Sequence, residues 1–223
     1  MSQFENRHSA GVLLATLLEP YAGRRDAIVL ALPRGGVPVA FEIAKQLHVP
    51  LDVLIVRKLG VPGQPEVAMG AITMNNEPVF NNEVVRELHI SHHEIDQVLA
   101  AEQQELKRRE KIYRHGRGPL AVTGKIVILV DDGVATGATI RAAIAALRRL
   151  QPAFIIVAVP VLAKSVYAKL ALIADKVVYL AKPENLYAVG AHYEEFDQTT
   201  DKEVTMLLAR NLSEGTDNDK TDH

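Results

Sequence analysis

The chain has 223 residues, 48% hydrophobic and 23% charged, with a formal net charge of −2. That length and apolar content predict a single sizeable core, and the near-neutral balance argues against a general binder of nucleic acid or anionic membrane. The absence of cysteine excludes disulfides and thiolate zinc sites; with no basic-then-apolar leader and no apolar run near the ~20 residues that span a bilayer, the sequence predicts a cytoplasmic protein.

In chain order, the first apolar run, residues 27–32, reads as a strand. It passes through Leu32-Pro33-Arg34-Gly35-Gly36 into a helical stripe of Val37, Ala40, Ile43, Ala44 and Leu47, with Pro38 tolerated in the first turn. Such a strand-to-helix turn offers backbone N–H groups, two glycines and the Arg34 guanidinium to an anion. The plainer alternative is a tight turn with a solvated arginine. A second strand, 51–56, ends on Arg57 and Lys58, which either face an anion or meet solvent.

From 59 to 124 the alternation of strand and helix breaks. Prolines and glycines in 61–72 suggest a mobile segment, and Asn75-Asn76 suggests a hairpin. Ser91 and Glu94 form a capping-box pattern at the head of a long polar helix, with Ile95, Val98, Leu99 and Leu106 on one side. The run 102–111 reads as a solvated face with i,i+4 pairs, a dimer contact or nucleic-acid patch being the alternatives. His92, His93 and His115 read as surface residues.

The richest signal is 126–139. Five apolar residues, Ile126 to Val130, suit a strand buried on both faces; Ile140, Ala143, Ile144 and Leu147 then recur at helical spacing. Between them lie Asp131, Asp132, Gly133, Val134, Ala135, Thr136, Gly137, Ala138 and Thr139. At a strand's carboxyl end and a helix's amino end, free N–H groups and the helix dipole favour an anion, the glycines let the backbone wrap a phosphate, and Thr136 and Thr139 add hydroxyl donors. Carboxylates beside a phosphate would repel it, so Asp131 and Asp132 suit neighbouring sugar hydroxyls or a cation. That combination suggests a ribose 5-phosphate cradle; the alternative is one aspartate capping the turn and the other solvated. Strands at 154–161 and 176–180 complete the alternation, which predicts a doubly wound, mainly parallel α/β sheet. Three of its loops should converge at the carboxyl ends of the strands. Residues 1–212 read as one domain with an insertion at about 59–124, and 213–223, without a large apolar residue, as a disordered tail.

From Ala27 to Leu208 the chain resembles the type I phosphoribosyltransferases, whose 5-phosphoribosyl-1-diphosphate (PRPP) motif is an apolar strand, two acidic residues and a Thr-Gly-x-Thr turn. It looks most like a bacterial and archaeal group of undefined acceptor. The resemblance implies transfer of the 5-phosphoribosyl group from PRPP to a nitrogenous acceptor, in the manner of purine salvage, with Mg2+ and in a homodimer. It implies that Gly133 to Thr139 hold the 5-phosphate and that Asp131 and Asp132 hold the ribose hydroxyls and, through them or water, the metal. Arg34, Gly35 and Gly36 would form the diphosphate loop, with a cis peptide near Pro33-Arg34 or Arg34-Gly35. A flexible catalytic loop would begin near Arg57 and Lys58, which would neutralise the departing diphosphate; the roles of Lys58, Gln64 and Glu66 stay open because this loop differs from that of better-known relatives. A carboxyl-terminal hood would place Tyr187 on the acceptor ring with Val189 beside it, and Glu194 or Glu195 near the metal. Tyr187, Tyr193 and Phe196 equally suit core packing. Two rival functions remain at this stage: a PRPP-sensing regulator without turnover, and a hydrolase with Asp131 as nucleophile.

Overall fold

A computed structural model describes residues 4–73 and 78–218, with 65, 66 and 212–218 described by backbone alone. Helix α1 (Arg7–Thr16) starts on an Asn6 cap and is followed by β1 (Ala27–Ala31), α2 (Gly36–Leu47) and β2 (Leu51–Val53). Strands β3 (Val56–Val61), β4 (Gln64–Thr73) and β5 (Val79–Phe80) and helices α3 (Asn82–Glu87) and α4 (His92–Tyr113) form the insertion. The chain then alternates through β6 (Ile126–Val130), α5 (Ala138–Arg149), β7 (Phe154–Val161), α6 (Lys164–Ala171) and β8 (Lys176–Ala181), and ends in α7 (Asp201–Asn218).

Five strands pair in parallel in the order β2-β1-β6-β7-β8. Successive side chains of a strand face opposite ways, so these runs must be apolar throughout when helices cover both faces. Val29, Ala31, Ile128 and Val130 join α1, α2 and α7 in one cluster; Ile28, Leu30, Val127 and Leu129 join α5 and α6 in the other. The order reverses between β1 and β6, which puts the loops after these two strands side by side at the position where open α/β sheets bind ligands. This is the doubly wound arrangement expected from the sequence.

The insertion departs from expectation. The apolar run 51–56 is not one strand: Leu54 donates its N–H to Ala31 O, Leu54 and Ile55 are buried in opposite clusters, and the chain then enters a second, antiparallel sheet of order β3-β4-β5. Burial at a change of sheet, not strand continuity, accounts for the apolar run. The stretch 61–72, expected as a mobile segment, is a hairpin turning at Pro62-Gly63. Its pairing skips from Gly60↔Ala68 to Val61↔Gln64, so Pro65 lies in an irregularity where no ladder N–H is required. The hairpin turn suggested at Asn75-Asn76 lies outside the described residues, although Ala71↔Val79 and Gly70↔Phe80 pair antiparallel on either side of it. The Ser91/Glu94 capping box opens α4 as read, and His92, His93 and His115 are exposed. Helix α7 extends through Asn218, into the stretch expected as a tail.

Behind the sheet edge, Arg114 donates to both oxygens of Asp52 on β2, at 3.1 and 2.9 Å, and to Gly118 O, while Arg117 ties Leu51 O to Leu208 O of α7. The Arg114 side chain is only 4% exposed. Arg114→Met leaves the half-buried Asp52 carboxylate with only Arg117 and the Val53 N–H beside it, and the expected loss is about 3 kcal/mol of folding stability, measured as a lower urea midpoint with unchanged slope.

Candidate active site

The site grows from the switch point. Leu32 donates its N–H to Val130 O, which holds the two loops together at their roots. The loop after β1 then runs so close to the acidic pair that a Cβ on Gly35 would lie 2.0 Å from Asp132 Oδ2, and one on Gly36 would lie 2.7 Å from Val130 O. Only a residue without a side chain permits that approach. The peptide between Pro33 and Arg34 is cis, at one of the two positions the family resemblance named.

Beyond β6, Asp131 Oδ1 accepts from the Asp132 N–H, and Asp132 Oδ2 accepts from Arg7. Asp131 Oδ2 and Asp132 Oδ1 have no partner among the described residues, where no fully enclosed side-chain oxygen lacks one, so neither is sealed off completely. Burial, and next the neighbouring Asp132 carboxylate, hold Asp131 well above the usual carboxyl range. Burial also raises Asp132, against the lowering effect of Arg7.

Val134 pairs with the edge of β7 through Val134 N–H to Val161 O, and the chain then swings through Gly137, at φ +75°, into α5. Among the described residues, none of the N–H groups from Ala135 to Thr139 donates a backbone hydrogen bond, and neither threonine hydroxyl has a partner. A row of unengaged donors at a helix N-terminus is the chemistry of an oxyanion cradle. A Cβ on Gly133 would strike Val189 at 2.4 Å, so the hood packs on this turn at its bare position.

A cavity of about 660 Å³ adjoins the cradle, lined by Pro33, Thr139, the β3 residues Arg57 and Lys58, the hairpin through Gly63, and Val98, Glu102 and Arg109 of α4. The loops after β1, β2 and β6 therefore meet, as the topology predicts. Arg57 Nε lies 2.5 Å from Glu102 Oε2. The acidic pair lies outside this cavity, between the glycines of the first loop and Arg7.

Other expected site residues are placed differently. Arg34 leans toward Asp201 at the head of α7, 3.7 Å away, where Tyr113 also donates a hydrogen bond to Asp201. Tyr187 is 94% exposed, so the core-packing alternative fails for it, whereas Tyr193 is buried and Phe196 packs beside it. Glu194 and Glu195 are exposed and their backbone N–H groups bond Phe4 and Glu5; no described contact brings either carboxylate to the acidic pair. Among the described residues no cluster of three or more acidic, histidine or cysteine side chains forms, so a cation here would rest on the aspartate pair and on ligand oxygens. That donor set suits Mg2+, which keeps waters and binds through one or two carboxylates plus substrate oxygens.

Sequence reasoning missed three contributors. Glu102 and Arg109 look like a solvated helix face, and Glu105 does pair with Arg108 and Arg109 there, its carboxyl lowered to about 2 by those hydrogen bonds. The helix nevertheless crosses the hairpin and turns Val98, Glu102 and Arg109 into the cavity. Arg7 is 125 residues from Asp132 in sequence and carries no motif; the only local signal is the Asn6/Ser9 capping pair that starts its helix.

Known proteins match the chain over most of its length. A family model described as "Phosphoribosyl transferase domain" matches residues 7–192. The Mycobacterium tuberculosis (strain ATCC 25618 / H37Rv) protein "Putative phosphoribosyl transferase Rv0571c" is 47% identical over 210 residues, 94% of this chain and 47% of that protein. The same figures hold for "Putative phosphoribosyl transferase MT0597" of strain CDC 1551 / Oshkosh. The chain thus spans about half the length of these curated relatives. The crystal structure of TT1426 from Thermus thermophilus superposes with a TM-score of 0.84 at 40% identity, covering 93% of this chain and 98% of that one.

Proposed function

Because the chain belongs to the phosphoribosyl transferase domain family, we propose that it transfers the 5-phosphoribosyl group of PRPP to a nitrogenous acceptor, a nucleobase by preference, and releases diphosphate. The observation that carries this reading is the adjacency of two unpartnered carboxylate oxygens, on Asp131 and Asp132, to the unengaged amides of Ala135 to Thr139. A ribose 5-phosphate presents hydroxyls and a phosphate in that same order.

In the reaction the C1–O bond to diphosphate breaks as the acceptor nitrogen bonds to C1, and the proton of the acceptor N–H passes to solvent. Positive charge builds on the ring and negative charge on the leaving group. Asp131 and Asp132 accept hydrogen bonds from the ribose hydroxyls and orient the ring, while the 135–139 amides fix its far end. The backbone of Arg34 to Gly36, with Arg57, Lys58 and Arg109 around the cavity, receives the diphosphate; preorganised donors of this kind contribute about 3 kcal/mol each in comparable sites. Mg2+, when bound, would neutralise part of the diphosphate charge. Arg57 must exchange Glu102 for the leaving group, so Glu102 sets how much of its charge is available. Tyr187 is free to stack on an acceptor ring beside Val189. The protein is proposed to act as a homodimer in the cytoplasm.

The test is direct. Purified protein with PRPP and Mg2+ should release diphosphate with at least one member of a purine, pyrimidine and aromatic-acid panel, and should bind PRPP in calorimetry. Neither binding nor release with any acceptor overturns the reading; stoichiometric binding with no release would make the chain a sensor instead.

A further inference from the structure

Arg7 is the best-anchored charged side chain near the acidic pair, and the proposed chemistry leaves it without a task. Its Nε and Nη2 lie 2.9 and 2.8 Å from Asp132 Oδ2, Nη1 donates to Asp197 O at 2.8 Å, and its guanidinium carbon sits 3.7 Å from the centre of the Phe196 ring. The side chain is 12% exposed. Both of its contacts to Asp132 go to one oxygen. The same oxygen is the one that a side chain at Gly35 would displace, and Tyr193 Oη donates to the Asp132 backbone oxygen at 2.6 Å. Asp132 is therefore fixed by one oxygen and its main chain, and its other oxygen is left as an acceptor.

We propose that Arg7 is a positioning residue for the transfer reaction: it holds Asp132 by Oδ2 so that Oδ1 stays directed to a ribose hydroxyl, and its charge offsets that of the acidic pair. The role rests on the reading of the site as a ribose 5-phosphate cradle. A planar guanidinium suits it because one fork can bind a carboxylate and a carbonyl while its face stacks on an aromatic ring, which an ammonium does not do. Arg7 acts at the ribose end only. The amides from Ala135 to Thr139 that take the phosphate have no contact with it among the described residues.

The experiment compares two probes, ribose 5-phosphate and inorganic phosphate, by calorimetry without metal. Arg7→Met should weaken ribose 5-phosphate binding about tenfold and leave inorganic phosphate binding unchanged. Arg7→Lys should fall between Arg7→Met and the native protein. In an Asp132→Asn background the Arg7→Met change should add less than about twofold, because its effect passes through that carboxylate. If Arg7→Met does not fold, Arg7→Lys and Phe196→Leu, which removes the stacking face, carry the test with partial losses confined to ribose 5-phosphate. Native-like ribose 5-phosphate binding by Arg7→Met, equal losses for both probes, or an additive double variant would each overturn the role of Arg7 alone. Failure of the native protein to bind ribose 5-phosphate or PRPP would instead overturn the cradle reading beneath it.

Discussion

Asp131→Asn should weaken PRPP binding by about 10- to 100-fold, the worth of a hydrogen bond to a charged acceptor and of the ring orientation it supplies, and yet raise the thermal midpoint at neutral pH. The two effects share a cause. Burial, then Asp132, holds the folded-state Asp131 carboxyl well above the usual 3.8. A carboxyl raised in this way binds its proton more tightly folded than unfolded, so stability falls as pH rises from the unfolded value through the folded one. The penalty is absent below about pH 4 and grows as pH rises from there. Asparagine, which carries no charge, removes it. Thermal melts of ligand-free, metal-free protein should therefore show the variant ahead at pH 7.5 and level with the native chain near pH 4. A variant that is less stable at both values, or one that binds PRPP normally, would contradict the account.

Gly35→Ala should be as damaging for a purely steric reason. The new methyl carbon would fall 2.0 Å from Asp132 Oδ2, and that oxygen has nowhere to go because Arg7 holds it at 2.8 Å. Either the first loop moves away from the acidic pair or the ion pair breaks. Overpacking of this kind costs about 1–3 kcal/mol in stability. The larger effect is on binding, since the loop that would receive diphosphate and the carboxylates that would grip ribose lose their register; PRPP affinity should fall about 100-fold. Gly23→Ala, at a glycine whose Cβ meets nothing within 4 Å, is the comparison: strained only by its φ of +67°, it should bind PRPP as the native chain does. Wild-type affinity in Gly35→Ala would show that the two loops are not coupled.

The central sheet was legible because its physics is local. Runs such as Ile126 to Val130 are apolar at every position when both faces are covered, and the helical stripe after each run has a different period. The acidic pair and the threonine-bearing turn stood out because the small residues and donors that would cradle a phosphate are contiguous in sequence. What was not legible depends on separation. Nothing in Asn6-Arg7 announces a carboxylate in the loop after β6, and the Arg57–Glu102 pair joins a strand to a helix 45 residues later. The strand pairing of the Pro- and Gly-rich stretch 61–72 was not legible because the same residues that loosen a loop also punctuate a bulged strand pair, and only the partner strand distinguishes the two. Tyr187 and Tyr193 lie six residues apart in sequence yet have opposite burial, with one turn of the chain at residues 189–192 between them.

The beginning of the described chain is woven into the hood: Phe4 donates to His192 O and accepts from the Glu194 N–H, each at 2.8 Å, and Arg7 follows within one turn of helix. A recombinant version trimmed to a downstream start, or carrying an affinity tag immediately ahead of Phe4, would keep every strand of the central sheet and, on the role proposed for Arg7, should still bind ribose 5-phosphate less tightly. Tags for assay work belong at the opposite terminus.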